Sequence, residues 1–266
     1  MSSTKTAFLG AGTIFGKHWL RHRKFDYLID RDNFKLTFGK SFRTMVFLDH
    51  AVANGPAAVR ANAEDDAKTT DYLIHRLGDI KPELTIFVTT CDMLPADANE
   101  RTAPITQSDD PYVQNRIAMY QAVNHQYGRV LNVHLPEIAS LKPEFNPLLH
   151  TILNPSSVKG KLPFAPQELH QLYLPQRIWL DVEKCVPLGI PAIIPAMPAL
   201  TTKEIVELLA PELVKKLRDP KPEDPAGSRR TSIHAFQWPD FEGNVLQSKD
   251  DLKTMLKFFF RPDLAV

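Results

Sequence analysis

The stretch that most constrains the fold lies within the first thirty residues. Ala7-Phe8-Leu9 is a short apolar run that meets Gly10-Ala11-Gly12-Thr13-Ile14-Phe15-Gly16. Lys17-His18-Trp19-Leu20 continues with helical character, and Phe25-Asp26-Tyr27-Leu28-Ile29 is a second apolar run closed by Asp30. Strand, glycine turn, helix, strand and terminal acid, in that order, describe a β-α-β unit of the kind that cradles a dinucleotide. Gly10 allows a tight turn off the first strand, Gly12 lets the backbone approach a pyrophosphate without an intervening Cβ, and Gly16 lets the helix close on the strand. The helix start offers N–H groups and a positive dipole end to phosphates. Asp30 follows Gly12 by about 20 residues, where its carboxylate can accept hydrogen bonds from a ribose diol. A glycine trio alone fits an ordinary strand-turn-helix equally well; the ordered set favours cofactor binding. Asp30 repels a 2′-phosphate while Arg31 attracts one, so NAD is favoured and NADP stays open.

The alternation continues. Thr44-Met45-Val46-Phe47-Leu48 is a compact apolar run followed by Asp49-His50. Residues 66–77 have helical spacing, Leu84-Thr85-Ile86-Phe87-Val88 is strand-like and ends in Thr89-Thr90-Cys91-Asp92, residues 111–126 are helical, and Val130-Leu131-Asn132-Val133-His134-Leu135 is a further strand before Pro136. Strands alternating with helices imply an α/β fold, a doubly wound parallel sheet of Rossmann type. Ligands on such sheets bind beyond the C-terminal strand ends. The glycine turn, Asp30, Asp49-His50, Thr89 to Asp92 and Pro136 all fall at such ends and are expected on one edge.

The chain has 266 residues, enough for a dinucleotide-binding core over 1–140 and, over 141–266, the remaining sheet elements with a small C-terminal substrate lobe, together one compact unit. A net charge of +1, from 32 basic and 31 acidic residues, gives no basic field for nucleic acid. Two cysteines make no disulfide framework. Without a signal-like start or an apolar run of about 20 residues, no membrane span is expected and the chain reads as cytoplasmic. The prolines cluster after Pro136, so a loop-rich second half is expected. There, residues 172–179 read as a strand entering a helix that runs through Cys185, and Ala192-Ile193-Ile194 as a short strand. Thr201-Thr202-Lys203-Glu204 reads as a helix cap with the helix reaching about Leu217, 219–230 as a mobile loop or linker, and 249–260 as an amphipathic helix.

A second informative stretch is Tyr112-Val113-Gln114-Asn115-Arg116. Tyr112 and Arg116 share a helix face. A cation beside a phenol favours the phenolate and so lowers the tyrosine pKa, which suits proton exchange with a carbonyl/alcohol pair. Thr90, just past an apolar strand, carries a hydroxyl able to bond the same oxygen.

Gly10-Ala11-Gly12-Thr13-Ile14-Phe15-Gly16, Thr90, Tyr112-x-x-x-Arg116 and His134-Leu135-Pro136 occur in an order that resembles the extended short-chain dehydrogenase/reductase superfamily, in particular its NAD-dependent nucleotide-sugar epimerase/dehydratase branch. The resemblance covers residues 6–140 well and 140–215 loosely. It implies an NAD(P)-dependent reductase or epimerase of a nucleotide-activated 4-keto sugar, working as a homodimer in polysaccharide or deoxysugar synthesis. Tyr112 is then the acid/base, Thr90 polarises the sugar oxygen, and Arg116 takes the family lysine's place, holding the nicotinamide ribose and lowering the tyrosine pKa. Asp92 is either a second acid/base or a carboxylate that caps the strand end. Gly10, Gly12, Thr13, Ile14, Gly16, Asp30, Arg31, Thr89, Tyr112, Arg116 and Pro136 are the implied cofactor contacts. The sequence departs from the family in having Thr13 for the second glycine, Arg116 for lysine, His134 for arginine and a short C-terminal lobe. These departures motivate an alternative, a catalytically degenerate member that binds a dinucleotide or a protein partner. Arg177 near Trp179 is a candidate for a sugar-nucleotide phosphate, with a structural arginine as the competing role. His18 and His22 share a helix face but lack a third ligand, so no metal is expected, and Cys91 reads as a small buried side chain rather than a reactive thiol.

Overall fold

A computed structural model describes residues 4–224, 226–237 and 243–264; the side chains of Ile14, Arg31, Asp32, Ser157, Phe236 and Leu264 lie outside the description. The chain divides into two units with interleaved segments. The first comprises 1–95, 102–135 and 174–194, and the second 96–101, 136–173 and 195–266. This interleaving has a structural reason. The reason lies in the sheet, whose last strand comes from residues that follow a long excursion into the second unit.

The first unit is built on a parallel sheet of β1 (Thr6–Leu9), β2 (Tyr27–Ile29), β3 (Ser41–Leu48), β4 (Lys81–Thr90), β5 (Val130–Leu135) and β9 (Ala192–Ile193), in the order β2-β1-β3-β4-β5-β9. Every neighbouring pair is parallel. Side chains alternate across the pleat. Ala7, Leu9, Met45, Phe47 and Phe87 face one side, where Met119 and Val123 of α5 (Pro111–Gln126) and Leu73 and Ile74 of α4 (Ala63–Arg76) pack on them. Phe8 faces the other side, tilted against Trp19 of α1 (Ile14–Leu20), which meets Trp179 of α7 (Ile178–Cys185) at 6.1 Å between ring centroids. Helices therefore cover both faces, as a parallel sheet requires. From β1 the chain steps outward to β2 and returns to the far side of β1 as β3. The strand order reverses there, and this switch point is where open α/β sheets place ligands. Two short helices, α2 (His50–Asn54) and α3 (Pro56–Ala61), follow β3.

The second unit holds two small sheets. In one, β6 (Glu137–Ile138) runs parallel to β8 (Leu172–Tyr173); in the other, β7 (Leu169–His170) is antiparallel to β10 (Leu200–Thr201). Its helices are α6 (Pro147–Ile152), α8 (Thr202–Leu209) and α9 (Lys249–Phe260). The capping box between Thr201 and Glu204 forms as expected, but α8 stops at Leu209 because Pro211 lacks the N–H that would continue it. A 3-10 turn at Pro211–Lys216 takes over. His170 bridges three elements of this unit, with Nδ1 2.9 Å from Glu137 and Nε2 2.9 Å from the Thr202 hydroxyl. The 219–230 stretch is not a free linker. Arg218 pairs with Asp224, which also accepts from Gln167 at 3.0 Å, and Gly227, at φ +74°, lies so close to the Leu169 backbone that no Cβ would fit.

Among the described residues no helix is long and apolar enough to cross a membrane, and no three His, Cys, Asp or Glu side chains gather as a metal site.

Candidate active site

Gly10 sits at the C-terminal end of β1 with φ +96°, a conformation that costs a glycine little, and its N–H donates to the Ile29 carbonyl at 2.7 Å. The turn that follows is held by Thr13. Its hydroxyl donates to the Gly10 carbonyl at 2.7 Å and accepts from the Gly16 N–H at 3.1 Å, so one side chain both closes the turn and caps α1. A Cβ on Gly16 would collide with the carbonyl oxygens of Gly10 and Ala11, which explains the third glycine. Asp30, exposed at the end of β2, accepts from the Gly12 N–H at 3.2 Å and starts a 3-10 turn with Asn33. The backbone at Ile14 and Arg31 opens α1 and that 3-10 turn, while their side chains fall outside the described residues.

These groups border a cavity of about 600 Å³ at the switch point. Gly10, Thr13 and Asp30 line one side, Leu48 and His50 another, and Thr69 and Tyr72 of α4 a third. The volume suits a small-molecule site. The residues fit a dinucleotide in a specific sense. Of the turn, Gly10 and Thr13 line the cavity, and Asp30, which accepts from the Gly12 N–H through Oδ1, keeps acceptor capacity for hydroxyl donors. A 2′-phosphate would meet that same carboxylate.

The second cluster lies at the neighbouring strand ends. Thr90 is 4% exposed at the end of β4 and Tyr112 is fully buried in the first turn of α5. The Thr90 and Tyr112 hydroxyl oxygens are 3.4 Å apart, and the Tyr112 hydroxyl donates to Asp92 Oδ2 at 2.7 Å. Asp92 thus serves the tyrosine directly as well as ending the strand. The guanidinium carbons of Arg60 and Arg116 lie 4.5 and 5.4 Å from the tyrosine ring centroid.

Arg116 departs from its expected role. It is fully buried and ion-paired to both Asp49, the cap of α2, and Asp66 of α4, with the Thr70 hydroxyl 3.3 Å away. Asp49 also accepts from Thr89 at 2.6 Å, and Asp66 accepts from Asn115 at 2.8 Å and lies 3.0 Å from His50 Nδ1. Burial opposes the charge on Arg116, but the two carboxylates outweigh it and raise its pKa. The arginine's charge is consumed inside the unit rather than offered to a ribose. The expected lowering of the Tyr112 pKa is also corrected. Burial and then the Asp92 carboxylate push the phenol up, and the opposing influence of Thr90 and Arg116 is smaller. Tyr112 is held protonated.

The remaining candidates are scattered. Thr89 is buried and turned to Asp49. Pro136 follows β5 immediately. Arg177 reaches Asp181 one helical turn on, at 3.5 Å, as a structural arginine does. Cys91 is buried, its thiol 3.1 Å from the His134 carbonyl.

No protein-family model matches the chain, and no curated protein matches it in sequence. Solved structures do match it in fold. MoeE5 in complex with UDP-glucuronic acid and NAD is 12% identical, with a TM-score of 0.66 over 98% of this chain and 100% of that one. A UDP-N-acetylglucosamine 4-epimerase from Methanobrevibacter ruminantium M1, in complex with UDP-N-acetylmuramic acid, is 13% identical, with a TM-score of 0.64 over 97% of each chain. A dTDP-4-dehydrorhamnose reductase from Yersinia enterocolitica is 11% identical, with a TM-score of 0.65 over 97% of this chain and 100% of that one. The likeness is one of fold: the chain has the Rossmann-like α/β architecture of these proteins.

Sequence reasoning missed Asp66, Asn115 and the pairing role of Asp49. A signal for Asp66 was present. It lies three and four residues ahead of Thr69 and Thr70 on α4, a polar stripe on a face that the structure buries.

Proposed function

We propose that the protein is an NAD-dependent oxidoreductase or epimerase acting on a nucleotide-activated 4-keto sugar. The observation that carries this reading is the hydroxyl pair of Thr90 and Tyr112, 3.4 Å apart, on the same sheet edge as the Gly10–Asp30 cavity. The fold likeness to sugar-nucleotide enzymes supports it. In this reading Gly10, Gly12, Thr13 and Asp30 hold the dinucleotide, with Gly16 allowing α1 to close on the turn. NAD would supply the redox equivalent at the sugar carbon. Asp30 orients a ribose through its hydroxyls and disfavours a 2′-phosphate. Thr90 hydrogen-bonds the sugar oxygen. Tyr112, kept protonated by burial and Asp92, would turn its hydroxyl from Asp92 to that oxygen and give up its proton as the carbonyl becomes an alcohol, and the phenolate left behind would be reprotonated from solvent before the next turnover. The protonated phenol is the form that reduction of a carbonyl requires. The same reading makes the protein a cytoplasmic homodimer, and sedimentation of the purified chain tests the stoichiometry.

The test is Tyr112→Phe. Turnover of a nucleotide 4-keto sugar with NADH should fall by about 100-fold or more, while thermal stabilisation by NAD, which reports binding to the native state, should stay. Unchanged turnover would remove the mechanism.

One observation favours a second reading, a non-catalytic dinucleotide binder: Arg116 is locked between Asp49 and Asp66. Arg116→Lys separates the two. If neither form reduces any keto sugar while NAD still stabilises the fold, the binder reading stands.

A further inference from the structure

The first unit carries a second cavity, of about 480 Å³, at the opposite edge of the sheet. It opens beside the N-terminal halves of β3 and β4 and the start of β5, whereas Thr90 ends β4. From Glu83 to Thr90 the strand runs about 23 Å at the usual rise per residue, so this cavity is separate from the Thr90–Tyr112 cluster. Its floor is apolar, formed by Leu84 and Ile86 of the sheet and Val182 of α7, and one wall is the Trp179 indole. Three arginines reach it from three different places: Arg23 after α1, Arg43 of β3 and Arg129 just before β5. Among the described residues none of the three forms an ion pair; Arg23 instead lies over the Trp179 ring at 5.1 Å. Two carboxylates, Glu83 and Glu183, share the lining and leave positive charge in excess.

We propose that this cavity is a second ligand site, for an organic anion with a flat ring. Three facts converge on that chemistry. Guanidinium groups free of acidic partners offer planar forks to a phosphate or carboxylate. The Trp179 indole is mostly buried, and the Arg23 guanidinium that faces it from the cavity gives a ring a planar cation to stack on. The volume matches a ligand of mononucleotide size. The proposal does not depend on the oxidoreductase reading, since it shares no residue with the Gly10–Asp30 cavity or the Tyr112 cluster.

The experiment is a titration of the full chain with AMP, 2-naphthoate and the neutral 2-naphthol, followed by calorimetry and by the tryptophan emission that Trp179→Phe removes. Binding at the other cavity is told apart by the arginine and glutamate variants, whose positions line only this one. At least one of the two anions should bind and change the Trp179 emission, with 2-naphthol clearly weaker. AMP alone would identify a phosphate ligand, 2-naphthoate alone a carboxylate. Arg43→Ala with Arg129→Ala should weaken that anion by about tenfold or more, and Glu183→Gln should tighten it. All three substitutions are at exposed positions, and unchanged thermal unfolding confirms that the fold is intact. The proposal is overturned if neither anion binds, if 2-naphthol binds as well as the anions, or if the arginine and glutamate variants leave affinity unchanged.

Discussion

Two neighbouring regions of one sheet edge are solvated in opposite ways. At the ends of β1 and β2, the glycine turn and Asp30 border an open cavity, and their hydrogen bonds run through backbone groups and exposed side chains. At the ends of β3 and β4, Asp49, Thr89, Thr90, Tyr112 and Arg116 are buried and bonded to one another. The first region is shaped to receive something, whereas in the second Asp49, Thr89 and Arg116 satisfy one another beside the Thr90–Tyr112 hydroxyl pair. Charge near a reacting group is therefore not the same as charge available to it. Arg116 lies close to Tyr112, yet Asp49 and Asp66 take up its field.

The contrast breaks most visibly at Arg116. Replacing it with Met leaves two carboxylates buried without their cation. Removing one partner of a buried ion pair costs about 3–5 kcal/mol, because the uncompensated charge remains. Urea unfolding should show a loss of that size, with NAD stabilisation of the surviving native fraction retained. A loss under ~1 kcal/mol, the range of surface pairs, would mean that the sealed region is not what holds these strand ends together.

In the open region the largest effect is expected at Gly16. Gly16→Ala puts a methyl group against two carbonyl oxygens, so the helix must move off the turn. Overpacking of this kind costs about 1–3 kcal/mol, and it should also weaken dinucleotide binding, because Gly10 and Thr13 shift with the turn. The two regions thus separate: Arg116→Met trades stability alone, while Gly16→Ala trades stability and ligand affinity together. Equal affinity in wild type and Gly16→Ala would detach the turn from ligand binding.

The sealed region also has a pH signature. Burial works to raise the Asp66 carboxyl, but the His50 hydrogen bond, Arg116 and Asn115 outweigh it and hold the pKa below the ordinary aspartate value. A carboxyl with a depressed folded pKa contributes stability that is present above its unfolded value and lost as pH falls through the folded one. That window lies below about pH 4. The urea midpoint of the wild type should fall through it, and Arg116→Met, lacking one cause of the depression, should show a shallower fall. Parallel profiles would show that the pair does not govern Asp66.

How much of this was legible in the sequence follows the same division. The glycine turn and Asp30 are local: spacing alone sets which residue turns, which caps and which ends the strand, so the β-α-β unit reads off the first thirty residues. The parallel sheet, α5 and the Thr201–Glu204 cap are equally local, being set by periodicity and a four-residue motif. Arg116 is the opposite case. Its partners lie 67 and 50 residues away, on α2 and α4, and no spacing announces that two helices will bring carboxylates to it. The short strand at Ala192-Ile193 was legible as an apolar run, but two residues carry no period that would say which strand it pairs with. Pro211 is a miss of another kind, since the breaker was visible and the helix was still carried past it to Leu217.

The smallest effect sharpens the comparison furthest. Thr13 occupies the position where the resembling family has a glycine, and its hydroxyl takes over two duties there, one to the Gly10 carbonyl and one to the Gly16 N–H. Thr13→Ala removes both and should cost about 1 kcal/mol, the usual loss of a helix cap. Thr13→Ser keeps the hydroxyl and should cost almost nothing in stability. If the threonine serves only the turn, NAD affinity should follow stability in both variants. If Thr13→Ser binds NAD as tightly as wild type while Thr13→Ala loses more affinity than its stability predicts, the hydroxyl also shapes the cradle. The departure from glycine is then a different way of building the same turn rather than a sign of decay. That distinction bears on the Arg116 question as well. A chain that builds its glycine turn with a side chain can also hold a structural arginine where the resembling family has lysine, without abandoning the site beside it.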